Sequence, residues 1–187
     1  MVGADDAVAA ALRARGWPER PLVDQSLALD LLNTRWVAGA TRYDLLDHDD
    51  LTAAWLVDRE LDREPLPRKQ LREAREALAA VVADPSDHAP LNALLDHGRL
   101  RLSVDGHGPV ERQDVADPLW RAAWACLRDY LRLRAETPDR LRKCANPDCV
   151  LHFQDTSRTG RRQWCSMTVC GNRLKARRHH DRSRSRA

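Results

Sequence analysis

Residues 144–173, CANPDCVLHFQDTSRTGRRQWCSMTVCGNR, contain the pattern that determines how the C-terminal part of this chain folds. Four of the five cysteines lie here as two C-x4-C pairs, Cys144 with Cys149 and Cys165 with Cys170, separated by fifteen residues. Each pair closes a short loop that can turn both sulfurs inward, and four thiolates complete a tetrahedral shell around zinc. We therefore predict one structural Zn2+ per chain, bound by these four side chains.

The alternative uses of the four cysteines are two disulfides or unpaired reduced thiols. The start of the chain carries Asp5 and Asp6, and Arg13 and Arg15 interrupt its short apolar run, which is unlike a secretory signal. We therefore expect a cytoplasmic protein, and this favours metal binding over a disulfide framework. No apolar run approaches the roughly 20 residues that cross a bilayer, so we expect no association with a membrane.

The two cysteine pairs occur in different local sequences. Pro147 and Asp148 predict a turn inside the first pair. Ser166 can cap a helix that begins after Cys165 and contains Cys170 in its first turn. The positive end of that helix favours a negatively charged thiolate cluster. A knuckle followed by a helix N-terminus is the layout of a treble clef zinc finger.

The net charge of +3 is the sum of two unlike parts. Residues 1–139 carry 18 basic and 25 acidic residues, whereas residues 140–187 carry 13 and 3, so the net charges are −7 and +10. A basic module attached to an acidic body indicates a polyanion partner, and we expect DNA. A solvated basic helix without a defined target is the alternative. The predicted contacts are Arg158, Arg161 and Arg162 in the loop before the second cysteine pair, and Arg173, Lys175, Arg177 and Arg178 on the helix after it.

Upstream of residue 139, helical periodicity dominates. Apolar residues recur at helical spacing in most segments, but Leu100, Leu102 and Val104 alternate with polar residues before a turn at Asp105-Gly106. This change of period predicts one antiparallel strand pair within a helical region. The expected helices are a weak one within residues 1–20, one from Leu22 that continues towards Val37, one over 49–61, one from Pro67 to before Pro85, one over 89–97, and one from Asp117 to Pro138.

The segment LALDLLNTR contains a polar set, Asp30, Asn33 and Thr34, within an apolar helical pattern. On neighbouring helical turns these side chains can converge on a small ligand. Alternatively, Asn33 and Thr34 cap or terminate the helix while Asp30 bonds a nearby backbone group or Arg35. We favour this structural interpretation.

Residues 144–180 closely resemble the CGNR zinc finger family, whose name is spelled here by Cys170-Gly171-Asn172-Arg173. The stretches DTSRTGRRQWCSM and CGNRLKARR carry the resemblance, and LALDLLNTR resembles the start of the ABATE domain that precedes this finger. The resemblance implies an α+β protein with a helix-rich ABATE-like domain and a small antiparallel sheet over 1–138, and a treble clef over 139–182. The basic residues 183–187 have nothing apolar to bury, and we expect them to be disordered. His152 and Gln154 depart from the apolar residues expected beside Phe153.

The resemblance also implies a stress-linked transcription regulator. We expect a zinc-dependent DNA-binding protein, not an enzyme, whose N-terminal domain senses a small effector or forms a homodimer. An RNA-binding or protein-interaction finger is the first alternative. A treble-clef nuclease using His152 with His180 or Asn172 is a weaker one, because no carboxylate accompanies these residues.

Overall fold

The computed structural model describes residues 6–23 and 25–171. Within this part of the chain, α-helices build an N-terminal body that extends from residue 6 to residue 136. Most boundaries agree with the helices predicted from periodicity, including the amphipathic helix that ends before Pro85. The helices are α1 (Asp6–Ala14), α2 (Leu27–Leu32), α3 (Asp49–Asp58), α4 (Arg68–Ala83), α5 (Ala89–Leu95) and α6 (Arg121–Glu136).

The described strands form three antiparallel hairpins, each a separate two-stranded sheet. The predicted strand pair is confirmed, and its register places Asp105 opposite Gly108 around a two-residue turn. Together with the helices, these sheets confirm the predicted α+β class. The strands are β1 (Arg35–Ala38), β2 (Thr41–Asp44), β3 (Arg99–Asp105), β4 (Gly108–Asp114), β5 (Leu141–Lys143) and β6 (His152–Gln154).

The β1–β2 hairpin corrects one prediction. The helix expected from Leu22 towards Val37 covers only Leu27–Leu32, and the chain reverses at Gly39, whose φ of +62° suits a residue without a side chain. Trp36 is buried and stacks on Tyr43 across the hairpin, with ring centroids 5.3 Å apart. This cross-strand aromatic pair favours a strand over helical spacing.

Helix α2 lies in the middle of the body and is buried along most of its length. Its Asp30 carboxylate has no exposed surface and receives hydrogen bonds from three side chains. Arg20 donates to Oδ1 at 2.5 Å, while Trp55 Nε1 and Arg59 Nε donate to Oδ2, each at 2.6 Å. Because a buried carboxylate is costly without such partners, Asp30 joins α2 to α3 and to the segment before α2.

Buried apolar side chains form one continuous cluster that extends from the body into the C-terminal part. We call residues 140–171 the cysteine module. Its strands pack against helices α2 and α4 of the body. The module therefore shares its apolar core with the body. The cluster includes Leu29, Trp55, Leu78 and Leu127 from the body and Leu141, Leu151 and Phe153 from the module.

Replacing Asp30 tests the central ion cluster. Asp30→Asn removes the charge that neutralises two guanidinium groups, and breaking a buried ion pair in this way costs about 3–5 kcal/mol of unfolding free energy. Urea denaturation followed by circular dichroism should show a loss of this size. Asp62→Asn is the matched control, because the Asp62 side chain is 69% exposed and lies 3.7 Å from Arg121. Equal stability of the two variants would contradict the central role of Asp30.

Candidate metal centre and its attachment to the body

The first cysteine pair lies at the tip of the β5–β6 hairpin. The Cys144 amide donates to the Leu151 carbonyl over 2.9 Å, which continues the strand ladder beyond Lys143. The Cys149 amide donates to the Asn146 carbonyl at 2.9 Å and closes the turn predicted within this pair. The hairpin thereby brings both sulfurs to one end.

The second pair arrives through a loop and ends in one helical turn, Met167–Gly171. The Ala145 amide donates to the Gln163 carbonyl at 2.8 Å, which holds the returning loop against the first pair. The amides of Cys170 and Gly171 both donate to the Ser166 carbonyl at 3.0 Å. Cys170 thus lies in the first helical turn, as predicted.

The four sulfur atoms converge on one point, all within 4.8 Å of one another, and the four residues are buried. Cys149 Sγ lies 3.7 Å from Cys165 Sγ, which lies 3.5 Å from Cys170 Sγ. Zinc bonded to four sulfurs at about 2.3 Å separates them by about 3.8 Å, whereas disulfide sulfurs are about 2.05 Å apart. The cluster has the dimensions of a four-thiolate metal site, and these sulfurs are not disulfide-bonded.

The thiols influence one another electrostatically. The pKa of Cys149 is lowered to about 5, chiefly because the Cys165 thiol donates a hydrogen bond to it. The pKa of Cys165 is raised by donating that bond, and burial raises the pKa of Cys170 to about 11. Four thiolates this close together repel one another, so a full set of thiolates needs a cation at its centre. No other group of His, Cys, Asp or Glu in the described residues has comparable metal-binding geometry.

The buried carboxylate of Asp155 organises the loop between the two pairs. Its Oδ1 accepts from the Ser157 amide at 2.9 Å and the Ser157 hydroxyl at 2.6 Å, and its Oδ2 accepts from the Arg162 amide at 2.9 Å. The hydroxyl bond is the main reason that the pKa of Asp155 is lowered. Arg140 Nη1 donates to the Ser157 carbonyl at 2.8 Å, and Arg142 Nη2 to the Gly160 carbonyl at 2.9 Å. These bonds hold the loop in one shape.

The predicted nucleic-acid contacts have different surroundings in this loop. Arg158 and Arg161 are exposed on its outer side. Arg162 turns inward: its Nε donates to the Trp164 carbonyl at 2.8 Å, and its guanidinium lies 4.7 Å from the Phe153 ring centroid. That geometry favours a structural role for Arg162. Arg173, Lys175, Arg177 and Arg178 lie outside the described residues, as does the tail at 183–187.

The polar set of α2 connects the body to the cysteine module. The Asn33 side chain bonds both backbone groups of His152: Nδ2 donates to the His152 carbonyl at 2.9 Å, and Oδ1 accepts from the His152 amide at 2.8 Å. Thr34 Oγ1 donates to the Leu31 carbonyl at 2.7 Å and accepts from Arg75 at 2.8 Å. Asn33 and Thr34, like Asp30, have no exposed surface. Their geometry favours the structural interpretation over ligand binding.

His152 and Gln154, the two departures in the β5–β6 hairpin, have different environments. His152 is 5% exposed, and its pKa is lowered to about 4 by burial and, secondarily, by the nearby Lys143. Its imidazole is therefore neutral near pH 7. Gln154 Nε2 donates to Thr137 Oγ1 at 3.1 Å, across the junction between body and module. Both residues belong to that junction.

The sequence reasoning missed Asp155 and the partner of Asn33. Asp155 stands in a stretch of small and basic residues, where a Ser two positions later is the signal for such a turn. The partner of Asn33 is 119 residues away in the chain. No local signal points to it.

The geometry defines a two-part protein in which a cysteine module with the geometry of a four-thiolate metal site is joined to a helical body. Residues 140–183 match the family model of the CGNR zinc finger. Residues 25–137 match the ABATE family model, described as "putative stress-induced transcription regulator". The second match covers more than half of the chain, so the chain belongs to the ABATE family and carries a CGNR zinc finger after that domain. No curated protein matches the sequence.

Among the described residues, none of the helices is long and apolar enough to cross a membrane.

Removing the Asn33 side chain tests the junction. Asn33→Ala leaves the amide and carbonyl of His152 unpaired in a buried interface, at about 1–3 kcal/mol for each group. We expect a total loss of about 2–6 kcal/mol of unfolding free energy and faster hydrogen exchange at the His152 amide. Asn92→Ala, at an exposed position of α5, is the control. Unchanged exchange at His152 would show that the Asn33 bonds do not hold the hairpin.

Proposed function

We propose that this protein is a zinc-dependent DNA-binding regulator of transcription. The observation that carries the proposal is the loop of residues 155–162, which presents Arg158 and Arg161 to solvent directly before the second cysteine pair. The ABATE and CGNR matches support a regulatory role. The body would regulate the activity of the protein, and the cysteine module would bind DNA.

Zinc suits the cysteine cluster because four thiolates prefer a borderline-soft cation in tetrahedral geometry. Bound there, zinc would neutralise much of the negative charge of the four thiolates. A shell of four protein ligands leaves no position for a water molecule, so the ion would have a structural role. A treble clef fold is part of this proposal.

DNA contact would begin at the phosphates. Arg158 and Arg161 are exposed, while Asp155 holds the backbone on both sides of them at Ser157 and Arg162, so little backbone freedom would be lost on binding. Arg173, Lys175, Arg177 and Arg178 would extend this contact. Arg162 would hold the loop in place through its hydrogen bond to the Trp164 carbonyl.

The proposal includes a homodimer, because two linked modules bind two half-sites better than one. A small-molecule effector acting on the body is also part of it. The side chains of Asp30, Asn33 and Thr34 have no exposed surface. An effector would therefore bind elsewhere on the body.

The protein would act by binding and not as an enzyme. A nuclease would need His152 exposed to its substrate, but this imidazole is 5% exposed. RNA remains the main competing partner, since exposed arginines bind either backbone. Competition between duplex DNA and RNA at one salt concentration separates the two, and preference for RNA would overturn the DNA assignment.

Metal content can be tested with two cysteine variants. Cys165→Ala should abolish binding of one zinc per chain, because it removes a sulfur within 3.7 Å of Cys149 and 3.5 Å of Cys170. Cys126→Ala is the control, since this buried thiol in α6 lies outside the cluster. Elemental analysis of purified protein measures the metal. Full zinc content in Cys165→Ala would contradict the proposed shell.

DNA binding can be tested through its dependence on salt. Arg158→Ala with Arg161→Ala should make the negative slope of log K against log salt shallower by about 1.8, since each lost phosphate contact removes about 0.9. Arg13→Ala with Lys69→Ala removes the same charge from exposed positions on the body and is the control. Fluorescence anisotropy with a labelled duplex measures the affinity. Equal slopes in the two double variants would move the contact surface away from the loop.

A further inference from the structure

The β3–β4 hairpin exposes apolar residues that the body does not cover. All residues of β3 are exposed, and the exposed fractions of Leu102 and Val104 are 76% and 80%. In the described chain, β3 pairs only with β4, so its outer edge has no strand beside it. A long, apolar strand edge is a template for pairing with another strand.

The register shows which backbone groups lie on that edge. The turn of Gly106 and His107 closes on the pair Asp105 and Gly108, and two-residue turns close on a hydrogen-bonded pair. Bonded and non-bonded pairs alternate along an antiparallel ladder. The residues at alternate positions, Leu100, Leu102 and Val104, therefore direct their N–H and C=O groups away from β4, and their side chains share one exposed face.

We propose that β3 pairs antiparallel with β3 of a second copy of this chain, about a two-fold axis at Leu102. This inference gives a surface to the homodimer in the proposed function, and it does not depend on DNA. In this register, Leu100 lies opposite Val104 of the second copy, and Arg99 lies opposite its Asp105. Symmetry repeats both pairs, so apolar residues meet apolar residues and opposite charges meet. About six backbone hydrogen bonds would form.

Strand β4 lacks this self-complementarity. Its outward-directed backbone positions include Pro109, which has no N–H group to donate. The equivalent symmetric pairing of β4 would centre on Glu111 and place two carboxylates opposite each other. On β3, moving the axis to Val104 would place Leu102 opposite Gly106 in the turn. The register centred on Leu102 places opposite charges opposite each other and apolar residues opposite apolar residues.

A groove beside the hairpin also favours pairing with a second copy of the chain. Leu100 borders a groove of about 600 Å3 between the hairpin and α6, where Leu131 is 44% exposed. Val104 of the second copy would lie beside Leu100 and would cover part of this apolar lining. Other apolar lining residues are Leu27, Leu61 and Ala125.

The first test changes the residue on the two-fold axis. Leu102→Lys places two ammonium groups opposite each other and should weaken the dimer by about 100-fold or more. Sedimentation of the full chain without DNA measures the dissociation constant. Asn92→Lys adds the same charge at an exposed position on α5 and should dimerise like the unmodified chain. A monomeric unmodified chain, or an equally tight dimer of Leu102→Lys, would overturn the proposal.

The second test exchanges the charges that meet across the axis. Arg99→Asp places two aspartates opposite each other, and Asp105→Arg places two arginines opposite each other, so each variant alone should dimerise about tenfold more weakly. An equimolar mixture restores both opposite-charge pairs and should form a heterodimer with near-original affinity. This recovery also shows that both variants are folded. A mixture no tighter than its components would overturn the proposed register, whatever the protein binds through its cysteine module.

Discussion

The fold depends on three polar side chains that lie in and directly after α2, in a region without solvent. Asp30, Asn33 and Thr34 have no exposed surface, and buried polar groups are stable only when their hydrogen bonds are made inside the protein. Each therefore fixes the position of a different neighbour. Asp30 holds α3 through Trp55 and Arg59, Thr34 meets Arg75 of α4, and Asn33 holds the β5–β6 hairpin. A short helix thus determines where the larger elements lie.

These contacts also affect how the cysteine module is stabilised. A zinc finger of this length usually has too little apolar core to fold without its metal. Here Leu151 and Phe153 join the core of the body, and Asn33 bonds the backbone of β6. Part of the module is therefore held by packing and hydrogen bonds that do not involve the cysteines. Metal binding would mainly order the cysteine-bearing ends, while the hairpin keeps its place on the body.

Sequence reasoning succeeded where the signal is local. The C-x4-C pairs, the apolar stripe of α4 and the alternation of Leu100, Leu102 and Val104 each repeat within a few residues, and each predicted element is present. It failed at β1, where Trp36 packs against Tyr43 and Trp17, with ring centroids 5.3 Å and 6.2 Å from that of Trp36. The partner of Asn33 is 119 residues distant in the chain. Such contacts depend on tertiary packing, which the local periodicity of the sequence does not reveal.

The cysteine module also shows why a count of basic residues overstates a binding surface. Five arginines lie between residues 140 and 171. Arg140, Arg142 and Arg162 donate to backbone carbonyls of the module, and Gly160 has φ +64° with the Arg140 guanidinium packed where a Cβ would lie. These three arginines hold the loop, and Arg158 and Arg161 remain exposed on it. The net charge attracts a polyanion from a distance, but only exposed charges on a fixed loop can contact its phosphates in a defined geometry.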